Sequence, residues 1–532
     1  MRSLGRRAWR RVRPSALAGL LVLVSALGAG GCAIFPHGAY WPSHDREFHG
    51  RSLAEPPQPA PAAAEGDRAA ALRQNIVRRW SDEALAESAR RMNAWTGRYA
   101  YTDALRTVSW CYVDSVSYRE MVVAGLASLR AALESPAFQA RFPEAAGAGG
   151  RARLAEALEA LQARAADSTL WFSWQAGAWL DAALRANRAS AGLPDGAVIA
   201  EMLFGAMDHL DPYSRYLTRE MRQATAEQYE GAYTGVGATV ALKDGRVLIA
   251  EVLKGGAADR AGLAAGDEIL AIDGRPADGL GAAQVRALLR GKSGTSLALR
   301  IRPADGGAVR EVVLVRSTVY LPTVRDEQFI EPERRVGYVR LTAFTPRAAR
   351  ELRQAIQRLR RQGAEALILD LRDNPGGSLL EAVEVVGLVL SRGCVARTRG
   401  RMIGSSWTYD VPLLTTVVWK GPLAVLVDGN TASAAEVVAA GLAAHGRATL
   451  VGRRTYGKGA VQLDLPTAFG AGTVCLTIAR VYDPKGGCLE GRGVAPDVEV
   501  PPAAPSPASL ADDPDVRAAL AHLAAPRPIG AR

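Results

Sequence analysis

The sequence predicts a multidomain α+β protein: a helical N-terminal region, a small β-rich module, and a closing α/β layer. Three observations carry this. Apolar residues recur at helical spacing over about 68–228, with few strand signals. Short alternating runs broken by glycine pairs follow over 229–317. Continuous apolar strands then alternate with helical patterns over 318–500, as in a buried, largely parallel sheet.

Before the helical region the chain carries export signals. Arg2, Arg6, Arg7, Arg10, Arg11 and Arg13 precede an apolar run from Ala16 to Leu27, then Gly28-Ala29-Gly30-Gly31-Cys32. That order, basic then apolar then small, is that of a secretory signal over 1–31. The ending resembles a bacterial lipoprotein signal, with Cys32 as the lipid-bearing residue; Ala29 stands where that pattern more often has Leu. Ordinary signal cleavage is the alternative. The expected location is the bacterial cell envelope, on the periplasmic side, anchored to a membrane by lipid. Residues 32–67, rich in Pro, Ala, His and Gly, read as a flexible tether.

The formal net charge is +11, spread along the chain apart from the N-terminus, so it is no nucleic-acid footprint. Cys111, Cys394, Cys475 and Cys488 have no zinc-ligand spacing. They can pair in three ways or stay as thiols. No metal or organic cofactor is implied. The Pro/Ala-rich segment 501–532 reads as a partly disordered tail.

In the β-rich module, Lys243-Asp244-Gly245 joins two alternating runs as a hairpin. A helix is expected from about Ala282 to Leu289. The stretch from Gly256-Ala-Ala-Asp-Arg-Ala-Gly262-Leu263 to Gly266-Asp267-Glu-Ile-Leu-Ala-Ile-Asp273-Gly274 resembles a PDZ domain in the circularly permuted form of bacterial proteases. The resemblance implies that a peptide adds as a strand to an open sheet edge. Its C-terminal carboxylate would meet the backbone of Gly235, Val236, Gly237 and Ala238.

In the α/β layer, Ser433 falls between an apolar strand (Pro422 to Val427) and an Ala/Val-rich helix. A hydroxyl beside unbonded helix-start N–H groups can attack a carbonyl and hold its oxyanion. Ser433-x-x-Glu436 is equally a capping box. Asp373-Asn374-Pro375-Gly376-Gly377 opens another helix after a buried strand, an anion site or simply a tight turn. Only six of the 65 basic residues are Lys, and one, Lys458, lies between Gly457 and Gly459. A desolvated lysine can lose its proton where arginine cannot. Arg453 and Arg454 would push its pKa down if they point the same way. His445 sits at a helix end, where a cation is favourable in any case.

As a set, Asp370-Leu-Arg-Asp-Asn-Pro-Gly-Gly377, Thr431-Ala-Ser-Ala-Ala-Glu436 and Gly457-Lys-Gly-Ala-Val-Gln462 resemble the C-terminal processing, or tail-specific, serine peptidases. Leu210-Asp-Pro-Tyr-Ser214, Asp483-Pro-Lys-Gly486 and Gly493-Val-Ala-Pro-Asp497 match further segments of that family, so the resemblance spans about 200–500. It implies a crotonase-like α/β protease core. Ser433 is then the nucleophile, Lys458 the general base and Gln462 the residue that holds the lysine. The oxyanion hole is drawn from the backbone of Gly376 or Gly377 and of Ala434. Thr431 and Ala435 replace serines usual in the family. The implied substrates are proteins or peptides with exposed C-termini, and an activating partner is left open. The rival readings are a catalytically weak PDZ adaptor and a small-molecule serine esterase; the latter lacks a G-x-S-x-G elbow.

Overall fold

The computed structural model describes residues 65–143, 145, 147–331, 335–502 and 509–524. The expected signal, Cys32 and nearly all of the tether lie outside them.

Among the described residues eight helices run from Glu65–Trp80 to Asp195–Asp208. The last is buried almost throughout and serves as the hub of the bundle. Its Glu201 is fully buried, yet accepts from Trp80 Nε1 at 2.6 Å, Ser128 Oγ at 2.5 Å and Arg79 at 3.1 Å. A buried charge needs such partners. The helical pattern does not continue unbroken to 228. Asp211 accepts the N–H groups of Tyr213 and Ser214, both at 2.7 Å, and turns the chain out of helix. Strand Arg215–Leu217 follows and pairs with Thr473–Tyr482, whose Val474 and Leu476 complete the helical core.

The β-rich module has the strand order 238–243, 246–252, 268–272, 296–302, 310–315. Ala238–Lys243 is an edge strand, with helix Ala282–Leu289 packed against it. The alternating run before the hairpin is two strands, Ala232–Gly235 and Ala238–Lys243, because Gly237 has φ +78 and breaks it. The first piece, Ala232–Gly235, pairs with Ser317–Tyr320 and ties the ends of the module together.

The closing layer is a six-stranded sheet in the order 324–331, 336–341, 366–370, 423–427, 449–452, 498–499, parallel from the second strand on. Its central strands 366–370 and 423–427 are buried along their whole length and read as nearly continuous apolar runs, as burial on both sides requires. Leu367, Leu369, Val425, Val427 and Leu450 face helices Ala348–Arg361, Leu379–Gly387 and Ala434–Ala444. Tyr338, Ile368, Ala424, Leu426 and Val451 face Val516, Ala519 and Leu520. These three lie on helix Pro514–Ala524, within the segment expected to be a partly disordered tail. Their i, i+3, i+4 spacing supplies an apolar face just wide enough to cover the sheet.

All four cysteines after the tether are free thiols. Among the described residues no helix is long and apolar enough to cross a membrane, and no three His, Cys, Asp or Glu gather as metal ligands.

Candidate active site

Three loops leave the carboxyl ends of neighbouring parallel strands, 366–370, 423–427 and 449–452, and meet. Open parallel sheets gather their sites at this edge. The loops carry Gly376–Gly377, Ser433 and Lys458.

Ser433 precedes helix Ala434–Ala444 with φ 55 and ψ −116, a strained conformation for a residue with a side chain. Only half of the capping box forms. The Ser433 N–H donates to Glu436 Oε2 at 2.8 Å, while the hydroxyl makes no cap bond and is left for other chemistry. Gly376 lies against this turn: a Cβ there would come within 2.8 Å of both Ser433 Cβ and the Ala434 nitrogen. The two helix starts therefore approach closely because position 376 has no side chain.

Of the two glycines, Gly376 does not offer its N–H to an oxyanion, because Asn374 Oδ1 accepts it at 2.9 Å. Among the described residues the N–H groups of Gly377 and Ala434 donate to no acceptor. Thr431 bonds Leu371 O at 2.8 Å and Asp428 Oδ1 at 3.0 Å through its hydroxyl.

Lys458 is buried, and its amine pKa is pushed down to about 8, first by burial and then by the Arg215 guanidinium. Arg453 and Arg454 do not supply this field. Arg453 is held by Asp515, and Arg454 donates to Arg492 O. The Lys458 Nζ lies 4.7 Å from the centre of the Tyr213 ring. It makes no hydrogen bond to Ser433 or Gln462. Gln462 is buried in strand Ala460–Pro466 after a bulge at Val461; its Nε2 donates to Thr477 Oγ1 at 3.0 Å and its Oε1 is unpaired. The geometry thus gathers Ser433, Gly377, Ala434 and the Lys458 backbone, and leaves the Lys458 amine short of its expected partners. Such contacts often tighten only with substrate bound.

Sequence reasoning missed several groups here. Glu436 is more than a cap, since it also accepts from Thr455, Gly457 and Lys458. Tyr213 and Arg215 reach Lys458 from far back in the chain. Glu490 accepts the Gly459 N–H at 2.7 Å, and burial raises its pKa to about 7. The only signal for Tyr213 was its place in the Leu210–Ser214 motif. His445 binds Cys394 O at 2.7 Å, at the far end of the Ser433 helix.

In the β-rich module Gly237 nearly touches Gly256: a Cβ on it would lie 3.0 Å from Gly256 Cα. Val236 and Gly237 carbonyls accept from Ala258 and Leu253. Gly235 to Ala238 thus form a fixed loop beside the open edge strand.

Residues 335–500 match the family model described as Peptidase family S41, and residues 248–303 match that of a PDZ domain. The chain is 36% identical over 295 residues to the carboxyl-terminal-processing protease of Picosynechococcus sp., covering 55% of this chain and 70% of that one. It is 34% identical over 307 residues to carboxy-terminal processing protease CtpA of Bacillus subtilis, covering 58% and 64%. The solved photosystem II D1 C-terminal processing protease aligns over 80% of this chain and 97% of its own, at 24% identity and a TM-score of 0.40.

Proposed function

The chain belongs to peptidase family S41 and hydrolyses peptide bonds, and from that premise we propose a serine endopeptidase that cleaves proteins after reading their C-terminal tails. The observation that carries the proposal is the buried Lys458 amine on a loop fixed to the Ser433 turn. Neutral Lys458 takes the Ser433 proton as Oγ attacks the scissile carbonyl. The Gly377 and Ala434 N–H groups receive the oxyanion; losing one such donor typically costs about 10²–10³ in rate. Lys458 then protonates the leaving amine, and water releases the acyl group. For this the lysine swings off the Tyr213 ring, and the unpaired Gln462 Oε1 is the acceptor that holds its charged form.

The PDZ domain supplies the tail recognition. A substrate strand adds to the open edge of Ala238–Lys243, with its carboxylate at Gly235–Ala238. Cys32 carries lipid, so the enzyme works at the envelope, on the periplasmic side. The test compares the parent and Ser433→Ala on an unstructured apolar-tailed peptide. Loss of cleavage in Ser433→Ala is expected; equal cleavage would leave only a PDZ adaptor. Cys32→Ser is expected to release the protein from membranes, and unchanged retention would overturn the anchor.

A further inference from the structure

The three site loops are joined in pairs by three buried carboxylates. Asp428 Oδ1 accepts the N–H of Asp373 at 3.1 Å and of Thr431 at 2.9 Å, tying the glycine loop to the Ser433 loop. Glu436 Oε2 accepts the N–H of Ser433 and of Lys458 at 2.8 Å each, tying the Ser433 loop to the Lys458 loop. The remaining pair is tied by Asp515. Its Oδ2 lies 2.9 Å from Arg372 Nη1, at the root of the glycine loop, and 2.9 Å from Arg453 Nη2, at the root of the Lys458 loop. Oδ1 adds a second bond to Arg453 at 3.0 Å, so that pair is bidentate.

Asp515 stands apart from the other two. Asp428 and Glu436 belong to the loop and helix they brace, within the segment that matches the family, 335–500. Asp515 is supplied by helix Pro514–Ala524, beyond that segment and on the opposite face of the sheet. It is buried, its backbone N–H is fixed by Asp513 at 2.9 Å, and its helix is seated by Val516, Ala519 and Leu520. Arg372 is further gripped by Asp370 and by Asp513 at 2.7 Å, whereas among the described residues Arg453 meets no other carboxylate. Among the described residues Asp515 is therefore the one acidic link between the two loops.

We propose that Asp515 is a positioning residue for peptide hydrolysis, and that the C-terminal helix is a strap that closes the ring of loops and so sets catalytic competence from outside the protease core. The proposal rests on Ser433 and Lys458 as nucleophile and base. Asp515 touches no reacting atom and acts through Arg453 and Arg372. A misplacement of about 1 Å at such a distance can cost about 100-fold in rate. Substrate capture by the PDZ domain does not depend on the strap.

The experiment uses the full chain with Asp515→Asn, Asp515→Glu, Arg517→Gln and Ser433→Ala, read by steady-state kinetics on a tailed peptide and by thermal melting. Asp515→Asn is expected to lower kcat about 10- to 100-fold with KM within about twofold. The loosened loop admits water to Lys458, so the midpoint of its pH–rate profile should move up from about 8. Asp515→Glu should recover part of kcat. Arg517→Gln changes an exposed charge on the same helix but keeps both Asp515 links, and should stay within about threefold of the parent. An unchanged kcat in Asp515→Asn would overturn the strap, as would equal losses in Asp515→Asn and Arg517→Gln that simply track melting temperature. Activity surviving in Ser433→Ala would instead overturn the underlying mechanism.

Discussion

Ser433 and Lys458 donate their backbone N–H groups to a single atom, Oε2 of Glu436, at 2.8 Å each. Their nitrogens are thus no more than two hydrogen-bond lengths apart, although 24 residues separate them in the chain. The other carboxylate oxygen accepts the Thr455 hydroxyl at 2.5 Å and the Gly457 N–H at 2.7 Å. One fully buried side chain therefore fixes the turn of the nucleophile against the loop of the base.

Glu436→Gln should break this arrangement, because one acceptor oxygen becomes a donor facing donors. Kcat is expected to fall about 100-fold with KM little changed. A lost hydrogen bond to a charged group is worth about 1.5–3 kcal/mol, so the melting temperature should drop by about 3 °C or more. Peptide kinetics and calorimetry check both. Retained kcat would mean that the two loops need no common anchor.

Gly376→Ala should also disable the enzyme. The new Cβ would meet Ala432 O at 2.7 Å and the Ala434 nitrogen at 2.8 Å, and φ +99 is strained for alanine. The turn then moves and the oxyanion donors with it. Phosphonylation of Ser433 by a serine-directed phosphonate probe should slow by about 10²–10³.

Glu490 lies close enough to Lys458 for its negative charge to raise the lysine pKa. Removing that charge favours the neutral amine. In Glu490→Gln the Gly459 bond can persist, and the midpoint of the rise in rate with pH should move down from about 8. A pH–rate profile of acylation reads the shift. An upward shift would assign the rise to another group.

Tail recognition is separable from chemistry. Gly237→Ala puts a side chain at φ +78 beside Gly256, a conformation that costs roughly 1–2 kcal/mol for an L-residue. Amidating the substrate's terminal carboxylate removes the charge that the loop would bind. Each change should raise KM about tenfold and leave kcat nearly as it was. A rate indifferent to amidation would argue against carboxylate capture.

Much of this site was legible because its chemistry is written in short local patterns. Ser433 stands at a strand-to-helix junction, and Lys458 is a lysine between glycines in an arginine-rich chain. What could not be read depends on contacts between distant residues. Glu436 reads as a cap because its bond to Ser433 is local, whereas those to Thr455, Gly457 and Lys458 cross between loops. Arg453 precedes Lys458 by five residues yet turns to Asp515, so the field at the amine comes from Arg215 instead. Helix Pro514–Ala524 is rich in Ala and Leu, good helix formers, but its Pro/Ala-rich surroundings hid it, and packing on the sheet face is what seats it.

The most direct test is the pH dependence of Ser433 acylation in the parent, Lys458→Ala and Lys458→Arg. The parent should gain rate with a midpoint near pH 8, where the buried amine loses its proton. Lys458→Ala and Lys458→Arg should both lose at least about 10³ of the rate across the range, because neither offers a side chain that can take a proton there. A Lys458→Arg enzyme that keeps the parental rate would contradict a deprotonated lysine as the base.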